Sequence, residues 1–107
     1  MSELDKRGAS FESKFAHDAE LKFKAEARRN KLLGLWAADL MGLSGDEANE
    51  YAKEVIRSDF EEAGDEDVFR KVRADLDDKA IEQSDHQLRR TMDELMAKAI
   101  DQVENES

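Results

Sequence analysis

Across 107 residues this chain has no proline and only five glycines. Proline and glycine are the residues that most strongly interrupt a helix. Strand-like alternation of apolar and polar residues is also absent. Ala, Leu, Glu, Lys, Arg and Asp dominate, most of them good helix formers. The sequence therefore predicts an all-α domain. A chain of this length is one domain, able to bury roughly 60–70% of its unfolded surface around a modest core.

The helix stops and starts are legible. Gly42 suits the left-handed conformation that closes a helix, with Leu43 folding back over it. Ser44 and Glu47 stand three residues apart, the spacing of a capping box. Gly64 marks a second stop, and Asp65 is placed to cap the next helix, with Glu66 and Asp67 at its positive end. Ser84 and Gln87 form a third start of the capping-box type.

Between these marks the apolar residues recur at three- and four-residue spacings. The first helix offers Leu32, Leu33, Trp36, Leu40 and Met41. A second, about 46–61, offers Ala48, Tyr51, Ala52, Val55, Ile56 and Phe60. A third, about 66–81, offers Val68, Phe69, Val72, Leu76 and Ala80. A fourth, about 85–103, offers Leu88, Met92, Leu95, Met96, Ala99, Ile100 and Val103. Short connections imply antiparallel neighbours, hence a four-helix bundle. Gly34 lies inside the first helix, where glycine costs about 1 kcal/mol against alanine. Close approach of another helix is the favoured explanation, and a hinge the other.

Lys14–Gly42 reads as one long helix with unlike halves. The half from Leu32 carries a dense apolar stripe, and the half before it is basic and sparsely apolar. Residues 1–31 hold 8 Lys/Arg against 6 Asp/Glu, a net of +2, whereas residues 32–107 have a net of −12. The basic half is thus attached to an acidic body, and the organisation expected is a flexible or projecting N-terminal segment, residues 1–19, before a bundle, residues 20–107, whose first helix begins near 20 and ends near 41. Residues 1–31, mildly basic as a whole, can approach an acidic surface that would repel the body.

The overall charge of −10 disfavours nucleic acid, whose binding depends on neutralising phosphates. No apolar run is long enough to span a bilayer, and no secretory signal is evident, so a cytoplasmic protein without membrane insertion is expected. There is no cysteine, which removes thiol catalysis and disulfides. The two histidines, His17 and His86, each adjoin an aspartate, but neighbouring helix residues point about 100° apart and do not chelate. Asp65, Glu66 and Asp67 lack the sixth-position glycine of a calcium loop, because Arg70 stands there. No glycine-rich phosphate loop and no Glu-x-x-His pair occurs. No catalytic, cofactor or metal residue is assigned, and the chain reads as an interaction protein.

The features of the N-terminal half are Phe11, Phe15, Leu21 and Phe23, with Lys14, Lys22, Lys24, Arg28, Arg29 and Lys31. Phe11 and Phe15 sit one turn apart and make a small apolar face. The functional reading is a segment that becomes helical in a groove on a partner, its phenylalanines as anchors and its cations meeting carboxylates. The bland alternative is a solvated helix extension.

The stretches FESKFAHDAELKFKAEARRNKLLGLWAADLMG (residues 11–42) and SDFEEAGDEDVFRKVRADL (residues 58–76) closely resemble the zeta subunit of alpha-proteobacterial F-type ATP synthases. The most specific part is KFAHDAE followed by FKAEARRNKLLG, and the resemblance spans nearly the whole chain. It implies a four-helix inhibitor of ATP hydrolysis. Its N-terminal segment would insert between the catalytic alpha and beta subunits near gamma and block hydrolytic rotation. That segment corresponds to about Ser2–Ala19, with Phe11, Lys14, Phe15, His17 and Asp18 as contacts, extended here by Leu21 and Lys22. His17, within that segment, offers a pH-regulated contact, and the alternative is an ordinary surface histidine with no regulatory role. Two other classes stay open: a helical adaptor, and a nucleotide binder in which Arg28, Arg29 and Lys31 meet phosphates. The free chain is expected to be a monomer.

Overall fold

The computed structural model describes the backbone of residues 2–59 and 65–106 and the side chains of residues 19–59 and 65–106. Four helices follow in order: α1 (Ser2–Leu40), α2 (Gly45–Ser58), α3 (Glu66–Asp78) and α4 (Asp85–Glu106). The all-α expectation and the number of helices hold. At 1.5 Å per residue, the 39 residues of α1 span about 58 Å. The molecule measures 63 × 26 × 22 Å, so α1 accounts for its long axis.

Consecutive helices run antiparallel. Asn30 of α1 bonds Asp59 at the end of α2, and Gly34 meets Ala52 further back along α2. Tyr51 pairs with Asp75, and Glu54 with Lys71, between α2 and α3. Glu66 meets Arg89, and Arg73 meets Asp85, between α3 and α4. Helix α1 makes its principal contacts with α2 and α4. The core lies between the helices: Leu33, Ala37 and Ala38 of α1, Val55 of α2, Val68, Val72 and Leu76 of α3, and Leu88 and Met92 of α4. Each large side chain there contributes roughly 1.5–3 kcal/mol before its lost entropy is counted.

Gly42 closes α1 as its sequence position implies. Its φ is +80°, the Leu43 N–H reaches the Ala38 carbonyl at 2.8 Å, and the Gly42 N–H reaches that of Asp39 at 3.2 Å. This is a Schellman motif, and Leu43 folds back against the core. The capping box at Ser84 also forms, with Ser84 N–H donating to Gln87 Oε1 at 2.9 Å and Gln87 N–H to Ser84 Oγ at 3.1 Å. Gly34 is explained by close approach, not by a hinge. A Cβ there would stand 2.6 Å from the Ala52 Cα, and α1 passes through Gly34 as unbroken helix.

Other expectations are corrected. Ser44 makes no side-chain cap, and Gly45 directly after it takes a φ of +57°, outside the helical backbone that a capping box requires at this position. Asp65 occupies the cap position of α3 without capping by its side chain, since its carboxylate faces the guanidinium groups of Arg29 and Arg89. Ala80 is not part of an α3 stripe. The helix ends at Asp78, and Ala80 takes a φ of +57° in a second Schellman motif, with Ile81 N–H on the Leu76 carbonyl and Ala80 N–H on that of Asp77. Ile81 then packs on the core in place of Ala80. Ile100 points outward although its spacing fits the α4 stripe, while Ala99 beside it is buried. Phe60 and Gly64 lie outside the described residues.

Candidate partner-binding surface

The segment singled out by the sequence leads into α1 at the end of the bundle where packing thins. Along residues 19–28 the only buried side chain is Ala25. Leu21 is half-buried and Lys22 exposed. Both line a groove of about 210 Å³ together with Ala25 and with Met96, Ile100 and Val103 of α4. Phe23 is 63% exposed, on the side of α1 where Ala27 approaches Ile56 of α2. Phe11, Lys14, Phe15, His17 and Asp18 have side chains outside the described residues.

The basic residues of α1 divide into two kinds. Arg28 ties α1 to the end of α4, donating to Gln102 Oε1 at 2.8 Å and pairing with the Glu106 carboxylate at 2.7 Å. Arg29 is only 4% exposed; its Nε donates to Asn30 Oδ1 at 2.7 Å and its Nη1 lies 3.6 Å from Asp65. Both guanidinium groups are therefore engaged within the fold, which leaves Lys31 alone of the three cations considered for phosphates. Lys24 pairs with Glu20 one turn away at 3.2 Å, a solvent-exposed contact worth about 0.3–0.5 kcal/mol. Lys22 and Lys31 are exposed, with no ion pair to any described residue.

Arg29 and Asn30 belong to a buried polar cluster that joins all four helices. Asn30, 1% exposed, donates from Nδ2 to Asp59 Oδ2 at 2.9 Å while accepting from Arg29. Asp65 sits between Arg29 and Arg89, and Arg89 also bonds Glu66 at 2.7 Å and stacks 3.9 Å from the Phe69 ring. Burial raises the Asp59 pKa above the usual carboxylate value; the Asn30 hydrogen bond and the Arg29 charge oppose that rise without cancelling it. A second polar contact crosses α2 and α3: Tyr51 donates to Asp75 Oδ2 at 2.8 Å, under the Lys71 ammonium. Burial, then the Asp75 contact, pushes the Tyr51 hydroxyl upward in pKa. The sequence reading missed Arg29 and Asn30 as interior residues. The available signal was positional, since they precede Leu33 and Gly34 by one turn on the same face.

Among the described residues no group of three or more His, Asp or Glu side chains is arranged to hold a metal ion, and no helix is long and apolar enough to cross a membrane. No curated protein matches the chain. A protein whose structure was solved in solution by NMR is 55% identical, the match covering 81% of this chain and 99% of that one with a TM-score of 0.72. The model of the family described as ATPase inhibitor subunit zeta matches residues 1–102. That match takes in both the long N-terminal helix and the bundle, and the chain belongs to the ATPase inhibitor subunit zeta family, a regulatory family and not a catalytic one.

Proposed function

We propose that the chain inhibits ATP hydrolysis by an F-type ATP synthase through residues 1–19, which insert at the catalytic alpha/beta interface near gamma and block hydrolytic rotation. Membership of the inhibitor family supports the inhibitory role. The observation that carries the placement is the length of α1. It begins at Ser2, but among the described residues its first buried side chain is Ala25. Along residues 19–24 the bundle buries no side chain of the helix, so this root of the segment is open to another surface. The charge contrast lies just behind the segment: residues 20–31 hold 5 Lys/Arg against 2 Asp/Glu and can steer the adjoining segment toward an acidic cleft from which the body is repelled. Phe11 and Phe15 serve as anchors, flanked by Lys14, His17 and Asp18, with Leu21 and Lys22 at the root.

The test is ATP hydrolysis by a cognate enzyme stripped of its own inhibitor, titrated with the full chain and with residues 20–107. Inhibition by the full chain alone is expected. Equal inhibition by a folded 20–107 fragment would move the activity to the bundle and defeat the reading.

A further inference from the structure

Among the described residues two large apolar side chains are exposed, Phe23 and, 42% exposed, Ile100. Phe23 lies within, and Ile100 beside, residues 21–27 of α1, where Ala25 is the one buried side chain. Ile100 lines the α4-side groove with Leu21. Phe23 lines a hollow on the α2 side with Ile56. Consecutive helix residues are turned by about 100°, so Leu21 and Phe23 stand about 200° apart around the α1 axis. The two apolar sites therefore flank α1 on opposite sides.

That placement constrains what covers them. A flat surface, or a second copy laid against one face, covers one site and leaves the other in water. A cleft that admits the helix surrounds it, and the lips of the cleft reach both sides at once. We infer that Leu21, Phe23, Ile56 and Ile100 form an apolar collar that seats against the mouth of the cleft in the catalytic head of the ATP synthase, the same cleft that receives the N-terminal segment. This rests on the insertion reading above. Lys22 borders one side of the collar and Lys31 the outer face of α1 between Ile56 and Val103. The matching lips are therefore apolar with carboxylates beside them. The collar adds affinity and limits how far α1 enters, because α2 and α4 flank the helix there through Ile56 and Ile100.

The experiment compares full-length variants in the hydrolysis titration: Phe23→Glu, Ile100→Glu, both together, Phe11→Asp/Phe15→Asp, and Ala74→Glu as a charge control on the exposed face of α3. Each collar variant is expected to raise the half-inhibitory concentration about tenfold, and the pair further, with inhibition at saturation unchanged. Helical circular dichroism and melting should stay close to wild type, and Phe23 at its exposure provides the variant least able to disturb the fold. Ala74→Glu should inhibit as wild type does. Loss of inhibition by Phe11→Asp/Phe15→Asp with wild-type titrations for both collar variants would overturn the collar and leave insertion standing. Unimpaired inhibition by Phe11→Asp/Phe15→Asp would overturn insertion and the collar with it. Sedimentation showing that the wild-type chain self-associates and the collar variants do not, with inhibition unchanged, would assign the patch to a second copy and overturn the proposal.

Discussion

Two stretches of the same helix behave as different materials. From Ala25 to Ala38, α1 is held by Leu33, Ala37 and Ala38 in the core, by Gly34 against α2, and by Arg29 and Asn30 in the polar cluster. From Ala19 to Lys24 it has no buried side chain. Helix propensity does not separate the stretches; Leu, Lys and Ala are good formers, and the held stretch contains Gly34. Packing separates them. Most helical stability in proteins comes from a buried face, and residues 19–24 lack one.

The sharpest way to break this comparison is Gly34→Ala. Propensity alone predicts a gain of about 1 kcal/mol. The added Cβ would stand 2.6 Å from the backbone of Ala52, and overpacking of that kind costs about 3 kcal/mol. A net loss of about 2 kcal/mol is expected by chemical denaturation, and a gain would show that the helices separate at no cost. Next in size is Ala80→Gly, which carries the contrast between local preference and tertiary demand to the end of α3. Alanine is held there at a φ of +57°, so glycine should stabilise by about 1 kcal/mol. An unchanged denaturation midpoint would mean that the left-handed residue is not strained.

Asp59→Asn probes the polar side of the held stretch. Burial raises the folded pKa of this carboxyl above the unfolded value of about 3.9. The folded chain therefore keeps the proton more tightly. Its stabilising contribution is complete below the unfolded value and is lost as pH rises through the raised folded value. Asparagine retains an acceptor for Asn30 and cannot ionise. The melting temperature of the variant relative to wild type should be higher at pH 7 than at pH 3, and a pH-independent difference would contradict the burial argument. The smallest expected change in stability belongs to Phe23→Ser in the unheld stretch, within about 0.5 kcal/mol. A large loss there would mean that this stretch is held after all.

Much of the architecture was legible because helix ends are chemical events. Gly42 with Leu43, and Ser84 with Gln87, announce their motifs in residue types that few other structures require. The end of α3 was hidden because alanine occupies a position that usually calls for glycine. Ser44–Glu47 has the right spacing for a capping box, but spacing cannot report the left-handed turn at Gly45. For the partner surface, the sequence pointed to Phe11–Lys22 through its phenylalanines, its thin apolar content and the family resemblance. It did not separate Arg28 and Arg29, which serve the fold, from Lys22 and Lys31, which face solvent. Five cations in ten residues look alike until their neighbours are known.

Composition and periodicity were sufficient for the all-α class, four helices, most of the core and the contrast between a basic beginning and an acidic body, because each depends on residue type at short range. The outward turn of Ile100, the burial of Arg29 and Asn30, the strained Ala80 and the placing of Phe23 opposite Leu21 above an open groove depend on which helix passes where. Those facts arise from residues 20 to 80 positions apart meeting across the bundle, and no local pattern encodes such meetings.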